Sequence, residues 1–229
     1  MTRLLRFFFL MKLHPPHGLL IAAGCAAVGV WTMWFDPAEI DSGLGLMLFV
    51  QMFIASTGFT SRARAGHFDP VLVGGNDRAR VAAAHWIMSL TPGLAGWLVL
   101  VAVGFSLGST GAFSALGGRR AVAFAIVSML SWIAGYRLPR GGAGIAWITL
   151  LVAMLLQHNL RFLSAAFDQG AHRFFWELGV LLVCPFLLIG NRPYISPAVQ
   201  LSALAVCVVA LGGLCVWTKR LDVVLVEHT

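Results

Sequence analysis

The chain has 229 residues, of which 59% are hydrophobic and only 11% are charged, and its formal net charge is +7. A water-soluble globule of this composition would expose more apolar surface than such proteins tolerate, so the sequence predicts an integral membrane protein. The basic residues are scattered among loop ends instead of forming one dense patch, which favours anionic lipid headgroups as partners and argues against nucleic acid. We expect one all-α transmembrane domain that fills residues 1–229.

Residues 1–16 form the first predicted element. Arg3, Arg6 and Lys12 flank a short apolar core, a pattern typical of a basic amphipathic helix on a membrane surface. No small-residue cleavage pattern precedes the next apolar run, so a cleaved signal peptide is not predicted. The segment is expected to lie on the inner face of the membrane.

Apolar runs of about 20 residues, which cross roughly 30 Å of hydrocarbon as helices, recur along the chain. Six such spans are predicted, at residues 17–35, 43–60, 81–106, 121–136, 142–160 and 197–217. The sequence "TPG" at 91–93 is expected to bend the third span, where neighbouring helices can compensate for the lost hydrogen bond.

A semi-polar segment, residues 61–80, separates the second and third spans. It has arginines at both ends and an apolar centre, the pattern of a helix that lies along a membrane surface. Because Pro70 is tolerated only in the first turn of a helix, this helix is predicted to start near Phe68 or Asp69. A pair of glycines ends it, and Asp77 is expected to cap the helix that follows.

Residue spacing alone supports two interpretations of this segment equally. It is either a basic loop that anchors two spans to anionic lipid, or a short cytoplasmic helix held rigidly between two transmembrane helices.

A further apolar run at 174–190 is short for a crossing, because it reaches only about 25 Å and Pro185 interrupts it. It is either a seventh span or part of a re-entrant helical hairpin over 172–196. Glu177 lies within this run, where a carboxylate is costly unless it is paired or faces water, and Arg173 is one helical turn away. We expect Glu177 and Pro185 to lie near the outer end of a pathway through the membrane.

The distribution of lysine and arginine favours the hairpin, since cytoplasmic loops carry the excess of these residues. Six crossings with both chain ends in the cytoplasm place eleven of the 16 basic residues inside, whereas seven crossings place ten inside.

The stretch "RARAGHFDPVLVGGNDRARVAAAHW" resembles the segment after the second span of ABC-2-type transporter permeases. In that family the segment runs as an arginine, a glycine, an apolar residue, an acidic residue, paired aliphatics, a break, and a small residue with arginine. Here these places are filled by Arg64, Gly66, Phe68, Asp69, Val71, Leu72, Gly74, Gly75, Asp77 and Arg78. The order of six spans, the amphipathic first helix and the hairpin before the last span resemble the same family.

The resemblance implies that this element is a coupling helix, which docks in a groove of a separate ATP-binding subunit. It implies a permease subunit of a bacterial ABC exporter in the cytoplasmic (inner) membrane, paired with a second identical or related permease. The implied coupling residues are Arg62, Arg64, Gly66, Phe68, Asp69, Val71, Leu72 and Arg78. ATP and Mg would be bound by the partner subunit, and no cofactor by this chain.

Catalysis by this chain itself is not predicted. The sequence has no GxxxxGK[ST] phosphate loop and no GxSxG or HExxH motif. A wall of leucine, valine, alanine, methionine and phenylalanine favours an amphiphilic or lipid-linked cargo over an inorganic ion. The competing interpretations are a non-transporting polytopic scaffold or sensor subunit of a membrane complex and, third, a polytopic membrane enzyme.

Overall fold

The computed structural model describes residues 2–13, 17–56, 68, 72, 77–136, 148, 152, 170–189 and 195–218, and every regular element within them is helical. The α-helices are α1 (Thr2–Leu13), α2 (His17–Phe35), α3 (Ile40–Ala55), α4 (Arg78–Ser106), α5 (Gly111–Gly117), α6 (Arg119–Gly135), α7 (Gly170–Val183) and α8 (Pro197–Trp217). Short 3-10 turns cover Pro37–Glu39 and Pro185–Leu188. The predicted all-α class is confirmed for the described part of the chain.

Four of these helices, α2, α3, α4 and α8, are long and apolar enough to cross a membrane. α5 and α6 are bent by 47° relative to each other, and together they would make a fifth span. Large apolar side chains on α2 and α8, such as Trp34 and Val209, point away from the bundle and are more than 70% exposed. Such surfaces are tolerated in hydrocarbon but not in water, as expected for a membrane-embedded protein.

The helices α2, α3 and α4 run alternately in opposite directions. The start of α2 meets the end of α3, where Gly18 approaches Ile54. The start of α3 meets the end of α4, where Gly104 approaches Ile40. Each helix therefore returns across the bundle, as successive membrane crossings require.

The helix α6 continues this alternation. His85 near the start of α4 contacts Trp132 near the end of α6, whereas Asp41 at the start of α3 contacts Arg120 at the start of α6. We call the end that contains His85 and Trp132 the proximal end of the bundle, and the end that contains Asp41 and Arg120 the distal end.

A buried ion pair joins the elements of the distal end. Arg120 Nε lies 2.6 Å from Asp41 Oδ1, and the arginine side chain is only 6% exposed. The same guanidinium donates to the carbonyl of Gly111 at 3.3 Å and to Ser114 Oγ. Because α5 supplies two acceptors and α3 a third, this arginine fixes the bend between α5 and α6 against α3.

Glycines allow α2, α3 and α4 to pack closely at mid-bundle. Gly29 of α2 lies against Gly43 of α3, and Leu100 of α4 fills the groove that the two glycines leave. Small residues at such crossings let helix backbones approach, which is a main source of attraction between helices in lipid.

Five observed helices, α2, α3, α4, α6 and α8, correspond to predicted spans, with bounds that differ by at most five residues. α2 and α8 have the predicted bounds, 17–35 and 197–217. The short helix α5 is not predicted, because Gly108 and Gly111 make its surroundings look like a loop. Of the predicted span 142–160, only Ile148 and Val152 are described, and both have helical backbone.

The helix α7 is too short to cross a membrane. Its 14 residues extend about 21 Å, and it ends before Cys184, where the chain turns into the 3-10 segment Pro185–Leu188. Pro185 and Leu188 are buried, and this turn packs against α6.

Two glycines of α2, Gly29 at the crossing and Gly24 away from it, differ in how much space surrounds them. A Cβ at Gly29 would lie 2.7 Å from Leu100 Cδ2 and 3.0 Å from Gly43 Cα, whereas a Cβ at Gly24 would meet nothing within 4 Å. We expect Gly29→Ala to be less stable than Gly24→Ala by about 1–3 kcal/mol, since overpacking outweighs the gain in helix propensity. Thermal unfolding of both variants in detergent measures the difference; equal midpoints would contradict the crossing.

Candidate functional site

An aromatic cluster lies at the proximal end of the bundle and joins four parts of the chain. Its members share almost complete burial, with at most 2% of each residue exposed: Phe8 of α1, Phe68, His85 of α4, and Trp132 and Tyr136 at the end of α6. We refer to these five residues as the proximal cluster.

Phe68 is held by two rings on different helices. Its ring centroid is 5.5 Å from that of Phe8 and 5.7 Å from that of His85, and both pairs meet edge to face. Phe8 and His85 are also in contact, at 5.6 Å. Each aromatic pair of this geometry adds about 0.5–1.5 kcal/mol beyond the burial of its area, so Phe68 is firmly attached to α1 and α4.

A hydrogen bond ties the cluster to α6. Trp132 Nε1 donates to His85 Nδ1 at 3.1 Å in a fully buried setting. Since an indole N–H only donates, Nδ1 must accept, and the imidazole is neutral with its proton on Nε2. The interaction fixes the tautomer of His85 and connects the start of α4 to the end of α6.

Local sequence explains how two of these parts are placed. In α1, Leu4 and Phe8 are one helical turn apart and both are buried, whereas Arg3 and Arg6 are exposed. This division produces the predicted amphipathic helix, and its apolar side packs against α4. Asp77 caps α4 as predicted, because its Oδ1 accepts from the backbone N–H of Ala79 at 3.2 Å.

Two of the predicted coupling residues lie in the described part of the segment between α3 and α4. The N–H of Leu72 donates to the carbonyl of Phe68 at 3.0 Å, which is the bond of one helical turn. Leu72 is partly buried against the core. The helix predicted to start near Phe68 or Asp69 stays a prediction, because residues 69–71 lie outside the described residues.

The burial of Phe68 bears on its predicted role as a coupling residue. The side chain is completely buried against α1 and α4, so it attaches the segment to the bundle and has no surface exposed for a partner subunit. Arg78 is half-buried in the first turn of α4. The other predicted coupling residues, Arg62, Arg64, Gly66, Asp69 and Val71, lie outside the described residues.

The predicted outer-pathway residues lie on α7 and just after it. Glu177 Oε1 accepts from Arg173 Nε at 2.9 Å, so the expected partner one turn earlier is present. The carboxylate side chain is 15% exposed and the arginine 55%. Pro185 is buried in the turn that packs against α6.

Sequence reasoning does not single out Phe8 or Tyr136, and it does not group Trp132 with His85. The spacing of Leu4 and Phe8 is a local signal for Phe8, whereas the contacts Phe8–Phe68 and His85–Trp132 join residues 60 and 47 positions apart. Among the described residues, no group of three or more histidine, cysteine, aspartate or glutamate side chains is placed to hold a metal ion.

Comparison of the chain with protein-family models, curated proteins and solved structures finds no match.

The packing of the proximal cluster predicts that truncating Phe68 strongly lowers the free energy of unfolding. Phe68→Ala leaves a cavity between α1 and α4, and we expect a loss of about 3–5 kcal/mol in the free energy of unfolding. Trypsin should also cleave faster after Arg62 and Arg64, because the segment loses its attachment.

The matched control is Phe113→Ala, which truncates a phenylalanine that is 74% exposed on α5. Thermal unfolding and timed proteolysis in detergent should change little for this variant. Equal behaviour of the two variants would show that Phe68 does not anchor the segment.

Proposed function

We propose that the chain is the membrane-spanning permease subunit of an ABC-2-type exporter, driven by ATP hydrolysis in a separate subunit. The observation that carries the proposal is the attachment of the 61–80 segment to the bundle through Phe68, which packs on Phe8 and His85. A segment that only anchored spans to lipid would not need a completely buried aromatic residue at its centre.

In this proposal the 61–80 segment is a cytoplasmic coupling helix. Residues around Asp69 and Val71 contact the ATPase subunit, while Phe68 transmits their movement to α1 and α4. Trp132 extends the connection to α6 through its bond to His85. Force applied at the segment therefore reaches three helices through rigid, fully packed contacts.

Charge at the proximal end supports a cytoplasmic location. Arg3, Arg6 and Arg80 are exposed on α1 and α4, which pack together. Cytoplasmic ends of membrane proteins carry the excess of basic residues, and anionic lipid headgroups attract them. The N-terminus and the coupling segment would then face the same compartment.

The finer architecture of the proposal has six crossings and a re-entrant hairpin over 172–196. The shortness of α7 and the buried turn at Pro185 support the hairpin, because irregular backbone at membrane depth must be covered by protein. Glu177 would lie near the outer end of a pathway that this chain encloses with a second permease subunit. The apolar walls favour export of an amphiphilic or lipid-linked substrate.

The second candidate function is a non-transporting scaffold or sensor subunit of a membrane complex. The broad apolar faces of α2 and α8 favour it as well, since they can pack against other membrane proteins. The two candidates differ in whether an ATPase subunit binds the proximal end.

Charge reversal at the segment tests this binding. We expect Asp69→Arg to reduce co-purification of the proposed Walker-A ATPase subunit at least about tenfold, as loss of 1.4 kcal/mol or more would do. Asp36→Arg makes the same change of charge at an exposed position of the distal end.

Membrane insertion of both variants, measured by fractionation, should equal that of the unaltered chain. Retention of the ATPase by Asp69→Arg, or its loss from both variants alike, would count against the coupling assignment. Failure of the unaltered chain to retain any ATPase would favour the scaffold.

Single cysteines test the number of crossings. In a background without the native cysteines, Ser196→Cys and Thr229→Cys are labelled in intact cells with a membrane-impermeant thiol reagent. Six crossings predict labelling at Ser196→Cys and protection at Thr229→Cys until the cells are opened. The reverse pattern would establish a seventh span and remove the hairpin from the proposal.

A further inference from the structure

The helix α4 contains a proline, Pro92, in its interior. Proline has no N–H, so it cannot bond the carbonyl of Met88 four residues earlier. Thr91 Oγ1 donates to this carbonyl at 2.8 Å. One turn towards the proximal end, Ser89 Oγ donates to the carbonyl of Trp86 at 2.6 Å. Side-chain hydroxyls therefore supplement the backbone hydrogen bonds of α4 next to the proline.

A third donor comes from the neighbouring helix. Gln51 of α3 is completely buried, and its Nε2 donates to the carbonyl of Ser89 at 3.2 Å. Its Oε1 has no hydrogen-bond partner among the described residues. A half-satisfied amide is a costly way to fill buried space, because an apolar side chain would fill it without leaving an acceptor unpaired.

Gly93 makes room for this amide. A Cβ at Gly93 would overlap Gln51 Oε1 and would lie 3.1 Å from Gln51 Cβ. The glutamine thus lies directly against the α4 backbone at the proline step. The sequence "TPG", which predicts a bend, lies next to the hydrogen bond from Gln51 of α3 to the Ser89 carbonyl of α4.

We propose that Pro92 and Gly93 form a hinge in α4. The hydrogen bond from the Gln51 amide to the Ser89 carbonyl, which we call the clasp, keeps the hinge closed and can break. With Nε2 bonded to the carbonyl of Ser89, residues 78–91 are held against α3. When this bond breaks, these residues swing about the hinge while the distal part of α4 stays packed. We call residues 78–91 the proximal arm of α4.

The proximal arm carries His85, so its movement displaces the proximal cluster. Trp132 and Phe68 contact His85 directly and would move with it or lose their contacts. The proposal stands on the contacts between α3 and α4, and it does not depend on the assignment as a permease. Its test therefore uses no transport or ATPase measurement.

Two substitutions release the clasp by different routes. Gln51→Met keeps the length of the side chain and removes its hydrogen bond, whereas Gly93→Ala displaces the glutamine. The matched control is Gly45→Ala on α3, where an added Cβ meets nothing within 4 Å. Pro92→Ala restores the missing N–H and should stiffen the hinge.

Hydrogen exchange followed by mass spectrometry on the purified full chain gives the first readout. In both clasp variants we expect amides of residues 84–97 to exchange about 3- to 15-fold faster, the range that one buried hydrogen bond between membrane helices can contribute. Residues 119–135 of α6 and the control variant should be unchanged. In the Pro92→Ala background, Gln51→Met should have much less effect.

Pulsed electron paramagnetic resonance gives the second readout. Spin labels at the exposed positions Arg80 and Leu20, on α4 and α2, report the place of the proximal arm in a background without native cysteines. We expect one narrow distance distribution for the unaltered sequence and a broader or second distribution for both clasp variants.

Unchanged exchange and unchanged distances in the two clasp variants would overturn the proposal. Equally faster hydrogen exchange in residues 84–97 and 119–135 would also overturn the proposal, because that result indicates a loss of global stability instead of hinge release. If one variant does not fold, the other decides between these outcomes. Failure of both to fold would show that Gln51 is a static packing element.

Discussion

The hydrocarbon of a membrane offers no hydrogen-bond partner, so a buried polar group that finds none within the protein is costly. The helical fold satisfies most backbone groups, and the exceptions mark the unusual places. At Pro92 the free carbonyl is bonded by Thr91, and Ser89 takes a donor from the next helix. At the distal end, Arg120 gives its hydrogens to a carboxylate, a hydroxyl and a carbonyl.

Packing follows from the same constraint, because apolar side chains gain nothing by leaving lipid for another helix. Attraction between the helices depends on close fit, which the contact of Gly29, Gly43 and Leu100 supplies at mid-bundle. At the proximal end, the five almost completely buried side chains of the proximal cluster provide this close packing. The outward faces of α2 and α8 do not need to fit closely against another helix of this chain, and they carry large apolar residues of many shapes.

The glycine crossing and the proximal cluster hold different halves of α4. The distal part is fixed by Gly96, Leu100 and Gly104 against α2 and α3. The proximal arm is held by the hydrogen bond from Gln51, by the aromatic contacts of His85 and by the buried apolar residues Val81, Ala82 and Ala84. Under the proposed coupling, the contacts of His85 with Phe68 and Trp132 would pass movement of the 61–80 segment to α4 and α6.

The amino-acid pattern alone was enough to predict an all-α membrane protein and the bounds of several helices. Apolar runs of membrane-spanning length predicted α2 and α8 with the observed bounds, and Asp77 was identified as a cap, because both signals are local. The packed helices were needed to show that Phe68 faces the bundle, that Arg120 pairs with Asp41, and that Gln51 reaches the α4 backbone beside Pro92. These contacts join residues that are far apart in the chain, and their existence depends on how the helices cross, which no local pattern of residues encodes.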